Sequence, residues 1–184
     1  MKRILTTLLL ATAFVACKKQ KPPPTPLPDK LVRYFAFYGK GSVWTYRDTA
    51  NNASTTLTAI KAQPGENLTN NKRMFVANFL SSKDSTFNFS YELTPTSIDI
   101  NTTKVFTTNW LWLNIANDSF YTEDGSTKIE TFSTIEIAGN AYTDVLHYTH
   151  KGSKITDMWF APYKGLIQFK TTNNTYKLIA TDIK

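Results

Sequence analysis

The sequence predicts an all-β fold: an antiparallel meander of about nine to eleven strands curled into a barrel or half-barrel, with a β-sandwich as the alternative. Three observations carry that expectation. Period-two alternation recurs along the chain while helical periodicity is scarce. "STFNFSYEL", for instance, sets Phe87, Phe89, Tyr91 and Leu93 on one strand face and Thr86, Asn88, Ser90 and Glu92 on the other. The alternating segments are rich in threonine, aromatic and β-branched residues, which suit a pleated, half-buried surface. Short breakers built on Asn and Gly separate them, and connections that short join antiparallel neighbours, because a parallel return needs a crossover of about a dozen residues or more.

In chain order, Met1-Lys2-Arg3, the run "ILTTLLLATAFV" and Ala16 have the layout of an export signal over residues 1–16. Two cations precede an apolar stretch that is too short to span a bilayer, which needs roughly 20 residues. Cys17 follows, the single cysteine of the chain. No internal disulfide can form from one thiol, so the fold must rest on packing. "FVAC" resembles the lipobox of bacterial lipoproteins, with Phe14 standing where leucine is commoner. That resemblance implies a diacylglyceryl thioether on Cys17 and a further acyl chain on its amine. Two or more acyl chains hold a protein durably at a membrane, so Cys17 is an anchor and not a nucleophile.

Residues 17–30 read as the lipidated cysteine and a tether. "KKQKPPPTPLPDK" holds five of the eight prolines, which fix φ and remove amide donors, favouring extended polyproline II. At about 3.1 Å per residue the segment is a semi-rigid spacer of up to ~40 Å. The formal charge of +7 is concentrated here: residues 1–30 carry six cations against one acid, and residues 31–184 fifteen against thirteen. The body therefore has no basic stripe, which excludes nucleic acid as a partner. Lys18, Lys19 and Lys21 suit anionic headgroups instead.

Residues 31–184 read as a single β domain, with strands expected at "VWTYRD", "STTLTAIKA", "KRMFVANFL", "STFNFSYEL", "TKIETFSTIEI", "AYTDVLHYTH", "SKITDMWFA" and "NTYKLIATDI". "NWLWLNI" (109–115) is apolar on both faces and fits either a buried strand, which we favour, or a short helix plugging a barrel. Turns are expected at "QPGEN" (63–67), "TNN" (69–71), "EDGS" (123–126), "AGN" (138–140), "KGS" (151–153) and "TNN" (172–174).

Catalytic patterns are scarce. The two histidines, His147 and His150, lie three apart, on opposite faces of a strand, so they do not share an ion, and no metal or cofactor is expected. No Gly-x-Ser-x-Gly elbow or phosphate-cradling glycine run occurs, and Asp144 lies three residues from His147. The expectation is a protein that is not an enzyme. Aromatic content stands out instead, with all but one of the Phe, Tyr and Trp residues beyond residue 30. They fill a disulfide-free interior or line a concave face for an apolar or ring-bearing ligand. Phe87, Phe89, Tyr91, Trp110 and Trp112 are the candidate ligand-binding residues.

The early "YFAFYGKGSVWTYRDT", the late "AYTDVLHYTH" and the corner Ala161-Pro162-Tyr163-Lys164-Gly165-Leu166-Ile167 together resemble small Bacteroidota lipoproteins. Lys164 departs from the usual hydrophobic residue at its position. The resemblance implies a curved antiparallel sheet like the lipocalin-like or LolA/LolB-like carriers. By analogy it implies a carrier role. With the lipobox, the tether and the one-sided aromatic strands, the expected function is an outer-membrane lipoprotein that binds an apolar or lipid-like ligand; the alternative is an accessory subunit of an envelope or glycan-uptake complex that uses an exposed sheet edge or aromatic platform. Acidic residues after the cysteine mark surface export in such relatives, and their absence here implies a periplasm-facing position. Asp48-Thr49-Ala50 and Asp84-Ser85-Thr86 resemble the O-glycosylation triplets of that phylum. Gly165, on physical grounds alone, should mark a sharp bend between strands.

Overall fold

The computed structural model describes residues 22–67, 70–83, 87–102, 111–116, 119–121, 127–150 and 155–184. Cys17, Trp110 and the triplet at Asp84 lie outside them. The chain forms one short helix, α1 (Asp29–Phe35), and twelve strands. The strands are β1 (Val43–Asp48), β2 (Ser54–Asn67), β3 (Lys72–Ser81), β4 (Phe89–Thr94), β5 (Ser97–Thr102) and β6 (Leu111–Ala116). They continue as β7 (Ser119–Tyr121), β8 (Thr127–Ile137), β9 (Asn140–His150), β10 (Ile155–Ala161), β11 (Gly165–Thr171) and β12 (Thr175–Asp182).

All twelve strands belong to one antiparallel sheet in the order β7-β6-β5-β4-β3-β2-β1-β12-β11-β10-β9-β8. It is a meander whose last strand returns beside its first, and it curls into a half-barrel. The free edges are β7 and β8, neighbours in sequence that do not pair among the described residues. The strand count exceeds the expected nine to eleven. The three strands not read separately are β5, β7 and β11. β7 is three residues long, β5 lacks aromatics, and β11 reads in sequence as the tail of the Ala161–Gly165 corner. "NWLWLNI" contributes a strand, β6.

Two further expectations are corrected. "QPGEN" is no turn: Gln63–Asn67 continue β2, with Pro64 opposite Phe75. Pro-Gly is turn chemistry, yet β1 pairs with β2 only through Thr58, so this end of β2 has no second neighbour strand to require the amide that proline lacks. The tether also meets the body sooner than expected. Thr25 bridges Lys72, its amide donating to Asn71 O at 3.2 Å while Arg73 N donates to Thr25 O at 2.9 Å. Lys30, placed in the tether from sequence, belongs to α1.

Seven residues make a marginal helix on their own. Asp29 in the first turn and Arg33 in the last favour the helix dipole, but packing holds it. Leu31, Tyr34 and Phe35 recur at i, i+3 and i+4 and are all buried. They enter the concave face of the sheet. Phe35 sits 4.9 Å from Phe160 of β10 and 6.3 Å from Phe120 of β7. Tyr34 donates its hydroxyl to the Asp144 carbonyl of β9. The helix therefore packs on the concave side against the edge strand β7, through Phe120, and against β9 and β10.

Behind α1, Tyr38 packs edge-on to Trp44 at 4.9 Å and to Phe75 at 5.8 Å, and Phe79 stacks on Phe89 at 4.5 Å. Each buried ring of this kind contributes roughly 1.5–3 kcal/mol. Two polar atoms of this aromatic core meet backbone carbonyls: Trp44 Nε1 donates to Lys164 O and Tyr46 OH to Leu166 O, both at 2.7 Å. Both acceptors lie at the corner that joins β10 to β11, where Tyr163 (φ 57°) and Gly165 (φ 71°) reverse the chain. Gly165 marks the expected bend.

Candidate functional site

The concave face is full at its centre. The space bounded by Tyr34, Tyr38, Trp44, Tyr46, Leu57, Phe79, Phe89, Gly165 and Leu166 is about 10 Å³. That is at the threshold for a single water molecule. Phe89 (3 % exposed) and Leu93 (0 %) belong to this packed interior, as the alternation of β4 requires. Phe89 is thus a core residue that offers no surface to a ligand.

Phe87 is placed differently. It precedes β4, is half-buried, and its ring lies 5.2 Å from Tyr176 and 5.7 Å from Phe169. Three strands, β3, β2 and β1, separate β4 from β12 in the sheet, so this contact crosses the curled interior. Phe87, Ile155 and Tyr176 wall an open recess of about 450 Å³ at one end of the half-barrel, rimmed by Thr171, Thr172, Asn173 and Asn174. No charged side chain lines it among the described residues. The rim is fixed: Thr171 N donates to Asn174 O at 2.8 Å and Asn174 N to Thr171 Oγ1 at 3.0 Å. Asn174 Nδ2 reaches Asp48 Oδ2 at 3.1 Å, while Asp48 Oδ1 accepts from Ala50 N at 2.9 Å. Asp48 is fully buried and serves this turn architecture; Thr49 beside it is exposed. An aromatic floor under neutral amides and hydroxyls can hold a neutral molecule with one apolar face.

Of the other candidates, Tyr91 lies in β4 opposite Ile100 of β5 and Ala77 of β3. Trp112 lies in β6 opposite Asp99, in the row that continues to Glu92. The structure therefore brings Phe87 to the recess and Phe89 to the core. Ile155 and Tyr176, with the expected turn at 172–174, complete the recess, and none of them is assigned to a site from sequence. Their only signal was a turn followed two residues later by a tyrosine.

A second open depression of about 530 Å³ lies where the tether arrives, walled by Pro26, Leu27, Val32, Phe37, Pro64 and Met74 among others, with Arg73 at its side.

Two polar clusters sit on the convex face. His147 of β9 lies between Asp157 Oδ1 at 3.0 Å from Nε2 and Glu130 Oε2 at 3.4 Å from Nδ1. It stacks on Trp159 at 4.2 Å, and Lys170 lies over the same indole. Burial raises the Asp157 carboxyl, but hydrogen bonds from His147 and Thr156, with the charges of His147 and Lys170, hold it below the ordinary range. The hydrogen bond from Lys128 does the same for Glu130. Cross-strand register makes this cluster, which no spacing within one strand could reveal. His150 faces the other way, toward Thr127 at 3.0 Å, so the two histidines do lie on opposite faces. Among the described residues no group of His, Cys, Asp and Glu is arranged to hold a metal ion. In the second cluster Asp99 stands opposite Glu92; burial, then the Glu92 charge, pushes its pKa up to about 6.

The molecule is thus a helix-plugged antiparallel half-barrel with a filled centre and an open aromatic end. No protein-family model matches the chain, and no curated protein is similar to it. Among solved structures it is similar to a candidate lipoprotein from Parabacteroides distasonis, with a TM-score of 0.42 and 12% identity, over 81% of this chain and 99% of that one.

Proposed function

We propose that this protein is a lipid-anchored, non-enzymatic binding module of the outer membrane, facing the periplasm. It takes a neutral, apolar or ring-bearing ligand in the recess walled by Phe87, Ile155 and Tyr176. The observation that carries the ligand reading is the contrast in volume: about 450 Å³ at this end against about 10 Å³ at the centre. A carrier that engulfs a lipid needs an internal cavity of several hundred Å³, and α1 occupies that place here. The ligand is therefore held at the end of the half-barrel, partly exposed. The anchor reading rests on the lipobox resemblance at Cys17 and on the neutral body behind a basic, proline-rich tether.

Fluorescence titration of the full chain with N-phenylnaphthylamine, a neutral ring-bearing amphiphile, tests the site. Wild type is expected to bind it and Phe87→Ala to lose at least about tenfold in affinity. Equal binding by both chains would contradict the assignment. Labelling with radioactive palmitate in the host tests the anchor: wild type should incorporate it and Cys17→Ala should not.

A further inference from the structure

The half-barrel ends in two unequal edges. β7 is three residues long and its Phe120 is held against α1. β8 is eleven residues long, contains no proline, and pairs with β9 from end to end without a register shift. Its other side has no partner strand among the described residues, and Lys128, Thr131, Ser133, Thr134 and Glu136 are exposed along it. A long edge strand without proline or register shift, and without a partner strand among the described residues, is of the kind that recruits another strand.

The sequence of β8 is complementary to itself. Laid antiparallel on a second copy about Phe132, it sets Lys128 opposite Glu136 and Ile129 opposite Ile135, each twice by symmetry, with Phe132 facing its own copy. The one other register of equal length for residues 128–137, centred on Ser133, sets Glu130 opposite Glu136 and repels. The faces agree as well. Ile129 and Ile137 lie on the concave side, the first opposite buried Tyr148 and the second itself buried. Lys128, Glu130, Phe132 and Glu136 share the convex side, where Glu130 meets His147. Glu130 is already engaged by Lys128 at 2.6 Å and by His147, whereas Glu136 has no ion-pair partner among the described residues.

We infer that β8 is a homodimer edge: two copies of this chain join through antiparallel β8 strands about a twofold axis at Phe132. The interface is isologous, and it continues one curved sheet from one half-barrel into the next. It stands independently of the ligand reading.

Disulfide trapping in the intact host envelope tests it, because directly opposed residues have Cβ atoms about 4.5–5.5 Å apart, close enough to cross-link with a small adjustment. Phe132→Cys is expected to give a covalent homodimer on mild oxidation. Lys128→Cys and Glu136→Cys should each remain monomeric alone and link when co-expressed. The wild-type chain, with only Cys17, controls for linkage elsewhere. Lys128→Glu placed in the Phe132→Cys chain should cut the dimer yield several-fold, and adding Glu136→Lys should restore it. Strongest linkage at Ser133→Cys, equal linkage at every position, an adduct with a different protein, or no linkage in a folded chain would each overturn the proposal.

Discussion

The centre and the open end of the half-barrel are built from the same kinds of side chain and do opposite things. At the centre, Trp44, Phe79 and Phe89 meet rings delivered by the N-terminal segment, Tyr34 and Tyr38, and almost no space remains. At the end, Phe87, Phe169 and Tyr176 pack on one another at 4.6–5.7 Å, but no ring arrives from α1 and, among the described residues, one side is open. Aromatic richness alone therefore says little about ligand binding. Whether a separate element caps the rings decides it.

The largest break in this contrast should come from removing the plug. Phe35→Ala deletes a fully buried ring and is expected to destabilise by about 3–5 kcal/mol, read from denaturant midpoints. Next, Gly165→Ala forces a side chain into φ 71° at the corner to which Trp44 is bonded. It should cost about 1–2 kcal/mol by the same measurement.

The convex face should respond with the opposite sign. Asp99 has a raised pKa of about 6 in the fold against an ordinary 3.8, so its contribution is most favourable below pH ~4 and is lost as pH rises through 6. Asp99→Asn should thus stabilise by about 1–2 kcal/mol at pH 7.5, after allowance for solvent screening, and by nothing measurable at pH 3.5. Denaturation curves at the two pH values check it. The smallest stability effect belongs to the open end. Phe87→Ala should cost under about 1 kcal/mol, since the ring is half-buried, while it weakens binding of the probe.

The sheet was legible from the sequence because alternation, β-branched composition and Asn/Gly turns all agreed, as at Phe89–Leu93 and at Ala138-Gly139, a two-residue hairpin with φ 51° and 79°. The plug was not. "DKLVRYF" spans two turns directly after a proline run, too short for a helical period to stand out, and its helicity is enforced by burial against strands far along the chain. The tight order Gln63-Pro64-Gly65 misled for the reverse reason: local turn chemistry was overruled by an edge position that tolerates proline. Of the site, Phe87 was visible as part of an aromatic alternation. Its partners Ile155 and Tyr176 were not, because only the curl of the sheet brings β4 across to β10 and β12. The His147–Asp157–Glu130 cluster was hidden likewise, being set by register among β8, β9 and β10.

Hydrogen–deuterium exchange over residues 29–38, with and without saturating N-phenylnaphthylamine, tests the central claim most directly. A permanently seated plug predicts equal protection of α1 in both states, with changes confined to the segments around Phe87, Ile155 and Thr171–Tyr176. Loss of protection in α1 when the probe binds would mean that the helix leaves to admit the ligand, and would contradict the account.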